Sequence, residues 1–161
     1  MTVVAALVTE HGAWMGADSL ASDGDLCSIT ATPKVGQFGS LLMGYAGSFK
    51  VGAQFFKVAA KAHMPTMEQL LESVRTEEKE WSLLFVEHGR IYEVQDDYSI
   101  IEARRLDGVS YGAIGTGAAS ALGALFVATS EQPDEGDLMR ALEASAEHCP
   151  SVRGPFRIYG V

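Results

Sequence analysis

The chain has 161 residues, of which 47% are hydrophobic and 20% are charged, and its 12 Lys and Arg against 21 Asp and Glu give a net charge of −9. This length favours a single domain covering residues 1–161, and the composition excludes long disorder and low-complexity repeats. The acidic balance disfavours a nucleic-acid partner, because such binding depends on clusters of Lys and Arg.

The first half of the chain is typical of short strands followed by two helices. A long segment with apolar residues at steps of three and four follows Ser48, the expected N-cap, and reaches residue 63. The sequence Thr-Met-Glu-Gln at 66–69 has the capping-box pattern of a second helix that ends near residue 74. Four apolar segments precede these helices, and we predict them to be strands: 3–8, 13–17, 29–32 and 41–46.

The second half repeats that order of strands and then helices. A charged loop at 76–80 comes first. Helices are expected at 118–128 and from Pro133 to about residue 146. The predicted strands are a hairpin, a weaker pair and a final strand: 81–86 with 91–94, 99–102 with 110–114, and 156–161. Runs of strands followed by runs of helices predict an α+β domain, and a four-layer αββα sandwich fits this order.

The cysteines and the apolar segments indicate where the protein resides. Cys27 and Cys149 are too few for a disulfide framework and lack the Cys-x-x-Cys spacing of zinc and redox sites, which indicates reduced thiols in an intracellular protein. Glu10 and His11 interrupt the apolar run at the start before it reaches the length of a signal peptide. No stretch approaches the ~18 apolar residues of a membrane span. We therefore expect a cytoplasmic protein without a membrane partner.

Two kinds of cofactor site are disfavoured by spacing. The four histidines lack the i, i+4 pairing of a zinc-binding helix, so we predict neither a metal nor a cofactor. The glycines at 112–117 follow a predicted strand and precede a helix, as in dinucleotide-binding loops. Ser120 stands where that motif needs Gly or Ala, however, and helices follow instead of a strand.

The start of the chain offers a different chemistry. Thr2 follows Met1, and removal of Met1 by an aminopeptidase would leave a free N-terminal threonine. A threonine hydroxyl is a weak nucleophile, but an N-terminal threonine carries its own base, an α-amine that titrates near ~8. Such a site needs a rigidly held terminus, a nearby cation and donors for an oxyanion. The first predicted strand, which begins directly after Thr2, meets the first requirement.

Five features of the sequence together resemble a known family. They are Thr2, the Gly-Ala-Asp-Ser at 16–19, Lys34, the Gly-Tyr-Ala-Gly at 44–47 and the Gly-Thr-Gly at 115–117. Their order and spacing resemble the proteasome β-subunits and HslV peptidase of the N-terminal nucleophile hydrolases, over nearly the whole chain. The resemblance implies the four-layer fold and a threonine-type endopeptidase.

The resemblance also implies roles for the first three polar residues. Thr2 would be the nucleophile, with its freed amine as the general base. Lys34 would lie close to the Thr2 hydroxyl, where its charge favours the alkoxide and lowers the pKa of the amine. Asp18 would pair with Lys34 and keep it charged. A purely structural ion pair between Asp18 and Lys34 is the alternative.

Three further residues complete the implied site. The N–H of Gly44 would donate to the oxyanion. Thr116 stands where the family has a serine near the amine, although a cap for the next helix explains it equally well. Ser151 matches a second serine of the family, whereas the carboxylate expected three residues earlier is replaced by His148, and an imidazole is no simple substitute for a carboxylate.

The residues that flank the implied site are small or apolar, which favours an apolar side chain before the scissile bond. As a set they are predicted to bind substrate: Ala21, Thr32, Gly36, Leu42 and Ala46.

The resemblance implies partners as well. We expect a homo-oligomeric ring that cleaves unfolded polypeptide, served by a separate ATPase unfoldase, since the chain has no phosphate-binding Gly-x-x-x-x-Gly-Lys motif of its own. A catalytically silent ring or scaffold subunit, favoured by His148 and by retention of Met1, is the first alternative. A small-molecule amide hydrolase is the second, although the chain is short for the insertions that would build a closed pocket.

Overall fold

A computed structural model describes residues 2–23, 26–103, 105–128 and 132–161 of the chain. Met1 lies outside the described residues. The four helices are α1 (Phe49–Lys61), α2 (Met67–Ser73), α3 (Ala118–Ala128) and α4 (Glu135–His148). The strands are β1 (Val4–Thr9), β2 (Gly12–Ala17), β3 (Leu20–Asp23), β4 (Leu26–Ile29), β5 (Val35–Phe38), β6 (Leu41–Gly47), β7 (Trp81–Glu87), β8 (Arg90–Gln95), β9 (Ile100–Glu102), β10 (Arg105–Leu106), β11 (Val109–Ile114) and β12 (Arg157–Gly160).

The strands form two antiparallel five-stranded sheets. The first has the order β10-β11-β1-β2-β12 and the second the order β5-β6-β7-β8-β9, while β3 and β4 form a separate hairpin. Strand β1 therefore lies at the centre of the first sheet, between β11 and β2. A central position fixes the residues at its start, because hydrogen bonds hold it along both edges.

Side chains of β1 alternate between two buried layers, which explains its continuous apolar sequence. Val4, Ala6 and Val8 belong to the core between the two sheets. Ala5 and Leu7, together with Val3 directly before the strand, belong to the core beneath α3 and α4. Successive side chains of a strand point to opposite faces, so a strand buried on both faces needs an unbroken apolar run.

Three cores separate four layers. The first core fills the space between the sheets, the second lies between α1, α2 and the β5–β9 sheet, and the third lies between the β10–β12 sheet and α3, α4. This arrangement confirms the predicted αββα sandwich.

Local signals place the helix starts. The Ser48 hydroxyl accepts from the Val51 N–H, and Thr66 and Gln69 form the predicted capping box. Asp134 caps α4 and forms a second capping box with Asp137. Each cap satisfies N–H groups that the first turn of a helix leaves without intrahelical partners.

The strands differ from the prediction in two places, one in their pairing and one in their bounds. The segments near 99–102 and 110–114 are strands, but they do not pair: β9 lies beside β8 in one sheet, and β11 lies beside β1 in the other. The predicted strand at 29–32 is also wrong, since β4 ends at Ile29 and the next strand begins at Val35.

Among the described residues, no helix is both long enough and apolar enough to cross a membrane.

Candidate functional site

Thr2 lies at the entrance to β1 and is only 3% exposed. Its N–H donates to Thr116 Oγ1 at 3.2 Å, and its carbonyl accepts from the Gly117 N–H at 3.2 Å. The turn between β11 and α3 thus holds both backbone polar groups of Thr2. Gly115 at this turn has a φ of +91°, and a Cβ added there would lie 2.3 Å from the Thr2 carbonyl oxygen, so glycine is required for the close approach.

Asp18 connects the backbone beside Thr2 to Lys34. The residue follows β2, and its Oδ1 accepts from the Val3 N–H at 3.0 Å and from Lys34 Nζ at 2.9 Å. Its Oδ2 accepts from the Leu20 N–H at 3.1 Å, and Lys34 Nζ also donates to the Leu20 carbonyl. The side chains of Asp18 and Lys34 are both 0% exposed.

Burial dominates the electrostatics of this pair. Desolvation lowers the pKa of Lys34, while the charge and hydrogen bond of Asp18 oppose that change. The ring of Phe49 lies 5.9 Å from Lys34 Nζ and adds a weak cation–π contact. The ammonium is therefore held by a carboxylate, a carbonyl and an aromatic face.

A hydroxyl–thiol chain, formed by Thr116, Ser151 and Cys149, approaches Thr2 from the other end of the sequence. Thr116 Oγ1 lies 2.9 Å from Ser151 Oγ, which lies 3.1 Å from Cys149 Sγ. The hydrogen bond of Ser151 is the main cause that lowers the pKa of the Cys149 thiol. His148, the last residue of α4, is exposed.

The structure contradicts the oxyanion role predicted for Gly44. The Tyr45 N–H donates to the Lys34 carbonyl on the β5 side, so the Gly44 N–H points into the ladder with β7, where Gly44 pairs with Leu84. A Cβ at Gly44 would lie 2.5 Å from Val4 Cγ1. Gly44 is glycine because the two sheets approach closely at that point.

Gly47 is a second candidate for a backbone donor, which the sequence analysis did not single out. N–H groups along a strand point alternately to its two edges, so the Gly47 N–H points to the same side of β6 as the Tyr45 N–H, toward β5. Pairing with β5 ends at the bond from Tyr45 to Lys34, so Gly47 lies past the end of that pairing. Gly47 has a φ of +87° and ends β6 directly before the Ser48 cap. A glycine at the junction of a strand and a helix was the signal that could have identified it.

The predicted substrate residues are only partly brought together. Ala46 lies at the end of β6, and its Cβ would be 3.3 Å from a Cβ added to Gly115. Since Gly115 contacts the Thr2 carbonyl, Ala46 lies next to Thr2. Ala21 is half-buried in β3, and Thr32 is exposed in the loop before β5. Leu42 is 0% exposed in the core between the sheets, so its predicted contact with substrate is wrong. Gly36 is buried in β5 next to Phe38, and its role stays a prediction.

A cavity of about 390 Å³ adjoins the site. Its lining comes from the ends of β6, β7 and β8 and from the turn before α3: Ala46, Gly47, Glu80, Trp81, Ser82, Gln95, Asp96, Gly115 and Thr116. Within the described ranges, no group of three or more His, Cys, Asp or Glu residues is arranged to bind a metal ion.

Solved structures share the fold over almost the entire chain. BPH from Thiobacillus denitrificans is 16% identical with a TM-score of 0.78, and the match covers 99% of this chain and 97% of BPH. HslV from Trypanosoma brucei is 14% identical with a TM-score of 0.76 and 98% coverage of both chains. Anbu, an ancestral β-subunit from Yersinia bercovieri, is 14% identical with a TM-score of 0.73, covering 98% of this chain and 80% of Anbu.

These similarities show the fold of the chain, which is the proteasome-type αββα sandwich. BPH has also been solved in complex with epoxomicin. No protein-family model matches the chain, and no curated protein sequence matches it significantly.

Proposed function

We propose that the chain is a threonine-type endopeptidase whose nucleophile is the hydroxyl of Thr2, freed at its nitrogen by removal of Met1. The observation that carries this proposal is the hydrogen-bonded group around Thr2. Asp18 binds both the Val3 N–H and the Lys34 ammonium, and Thr116 binds the Thr2 nitrogen. A nucleophile, a cation and polar groups for the amine are thereby collected at one strand end.

In the proposed reaction, the amine of Thr2 takes the hydroxyl proton as the oxygen attacks the peptide carbonyl. The positive charge of Lys34 stabilises the oxygen as it becomes negative. The amine then gives the proton to the leaving nitrogen, and water, activated by the same amine, hydrolyses the acyl-enzyme ester. Thr116 and Ser151 hold the amine in position.

We assign the oxyanion donor to Gly47 instead of Gly44. The end of β6 adjoins Thr2 through Ala46, and the Gly47 N–H lies outside the ladder between β6 and β5. Removal of one hydrogen-bond donor aimed at a developing oxyanion costs about 3–4 kcal/mol of transition-state stabilisation in other hydrolases.

We propose a cytoplasmic homo-oligomeric ring that acts on unfolded polypeptide supplied by a separate ATPase unfoldase. HslV, one of the proteins that shares the fold, supports the choice of a peptidase. The competing function is a silent ring or scaffold subunit. It is favoured by His148, which is exposed and stands where a carboxylate was expected.

The test begins with the intact mass of the purified protein. We expect the measured mass to lack Met1, and we expect the processed protein to cleave a fluorogenic peptide.

Thr2→Ala should reduce turnover by about three orders of magnitude or more, whereas Thr2→Ser keeps a hydroxyl and should retain activity. Epoxomicin, with which BPH has been solved in complex, should inhibit the cleavage. A retained Met1, or equal turnover in Thr2→Ala, would refute the peptidase and favour the silent subunit; light scattering that shows a monomer would refute the ring.

A further inference from the structure

The hydroxyl–thiol chain does not end at Ser151, the last residue that the resemblance implied. Ser151 Oγ is 2.9 Å from Thr116 Oγ1 on one side and 3.1 Å from Cys149 Sγ on the other. Four polar atoms therefore form one connected path from the Thr2 nitrogen to a thiol. The expected position of a supporting carboxylate, at 148, holds an exposed histidine instead.

We propose that Cys149 is a positioning residue of the Thr2 site, whose thiol terminates the hydrogen-bond chain that holds Thr116 Oγ1 against the Thr2 nitrogen. This inference rests on the proposed function, because positioning of the amine matters only if the amine acts as a base.

The backbone around Cys149 is fixed from both sides, so its side chain has a defined direction. Its N–H caps α4 by donating to the Ser145 carbonyl at 2.9 Å, and its own carbonyl accepts from the Val152 N–H at 3.0 Å. Ser145 in turn donates to the Gly117 carbonyl at 3.0 Å, next to the Thr2 contact. The C-terminal end of α4 is thereby joined to the turn that holds Thr2.

The polarity of the chain depends on the charge of the amine. The Thr2 nitrogen donates to Thr116 Oγ1, so the Thr116 proton is free to point either to the Thr2 carbonyl at 3.4 Å or to Ser151. When the amine becomes an ammonium during the reaction, each hydrogen bond of the hydroxyl–thiol chain is favoured in the direction away from the charge. The amine then donates to Thr116, Thr116 donates to Ser151, and Ser151 donates to the sulfur of Cys149. The sulfur then acts as the final acceptor and stabilises the charged amine.

The charges that face this sulfur are few among the described residues. His148 precedes Cys149 but is exposed, and the causes that lower the pKa of the thiol are the hydrogen bonds of Ser151 first and of Thr116 after it. A thiol that accepts a hydrogen bond and faces an ammonium ionises more readily.

The decisive variants are Cys149→Ala, which removes the acceptor, and Cys149→Ser, which restores a polar atom. Cys27→Ala is the matched control, since Cys27 is an exposed thiol in β4. We expect Cys149→Ala to lower kcat about 5-fold with KM unchanged, and to move the acidic limb of the pH profile of kcat. Cys149→Ser should recover most of the kcat, and Cys27→Ala should match the wild type.

A wild-type kcat and pH profile in Cys149→Ala would overturn the proposal. Equal losses in the Ala and Ser variants, in proportion to a lower melting temperature, would show a packing role and would also overturn it. A second measurement does not need activity: in the Cys27→Ala background, the pH dependence of Cys149 alkylation by iodoacetamide reports the thiol pKa. Adding Ser151→Ala should raise that pKa, and an unchanged value would refute the hydrogen-bond chain even if the peptidase hypothesis fails.

Discussion

Two groups of polar side chains meet the backbone at residues 2 and 3, and they differ in how far they are exposed to water. The ion pair of Asp18 and Lys34 is completely enclosed, with hydrogen bonds to the backbone at Val3 and Leu20. The hydroxyl–thiol chain is exposed at Thr116 and half-exposed at Ser151 and Cys149. The hydroxyl–thiol chain binds the Thr2 nitrogen and the ion pair binds the N–H of the next residue, Val3, but only the ion pair is part of the core.

This difference separates stability from reactivity. A buried charge that loses its partner has no water to replace that partner, so removal of one member of the enclosed pair strongly destabilises the fold. In the hydroxyl–thiol chain, water can replace a missing partner, so a substitution there changes the environment of the Thr2 nitrogen more than it changes folding. The structural ion pair that the sequence left as an alternative is therefore compatible with a catalytic role of Lys34.

The largest effect on stability is expected from breaking the ion pair. Asp18→Ala removes the acceptor of two backbone N–H groups and of Lys34 Nζ, and we expect it to lower the unfolding free energy by about 3–5 kcal/mol. Ser151→Ala is the counterpart from the exposed group and should cost at most about 1 kcal/mol. Urea unfolding measures both. Equal costs would contradict the distinction between the two groups.

A double variant sharpens the same comparison. Replacing both Asp18 and Lys34 by apolar residues of similar volume, as Asp18→Leu with Lys34→Met, should recover part of the stability lost in Asp18→Ala. It should not recover turnover, because the cation is gone. Recovery of both would show that the ion pair has only a structural role.

An intermediate effect is expected where the turn before α3 contacts Thr2. Gly115→Ala would introduce a Cβ at 2.3 Å from the Thr2 carbonyl oxygen, in a backbone conformation that side chains rarely adopt. Displacement of Thr2 should lower stability by about 1–3 kcal/mol and reduce turnover more than stability explains.

The matched control for this variant is Gly89→Ala. Gly89 also has a positive φ, of +71°, but nothing lies within 4 Å of its added Cβ. Gly89→Ala therefore strains the backbone in the same way but introduces no steric clash, and the turnover of this variant should equal that of the wild type. If both variants lose turnover equally, the contact between Gly115 and Thr2 does not contribute to activity.

Local sequence signals predicted the helices well, because a cap is determined by residues within one turn. Ser48 and the capping box of Thr66 and Gln69 are examples. Strand pairing could not be read in the same way. The segments that became β9 and β11 are close in sequence, yet each completes a different sheet, and that choice depends on contacts with strands far along the chain.

The errors at the site have one physical origin. Leu42, Gly44 and Ala46 lie on one face of β6, because they alternate with Met43 and Tyr45, whose side chains face the helices. That face is buried against the first sheet, and only its end at Ala46 reaches Thr2. The Gly-Tyr-Ala-Gly motif at 44–47 could be identified from the sequence. Which of its residues are buried and which reach the site depends on how closely the two sheets pack, and the sequence does not show that.

The smallest effect is expected at Tyr45, a third kind of polar group that is buried without a partner. Its hydroxyl makes no hydrogen bond among the described residues, and burial raises its pKa to about 12. The folded protein therefore holds this proton to higher pH than the unfolded chain, and the Tyr45 contribution to the unfolding free energy decreases as the pH rises from about 10 to about 12. Tyr45→Phe removes the unpaired hydroxyl, with its desolvation cost, and also its titration. Its urea-unfolding stability should therefore equal or exceed the wild type by up to about 1 kcal/mol at pH 7 and fall less steeply in alkali. A clear loss of stability at neutral pH would mean that the hydroxyl has a partner, and Tyr45 would then belong with Asp18 and Lys34 as a satisfied buried group.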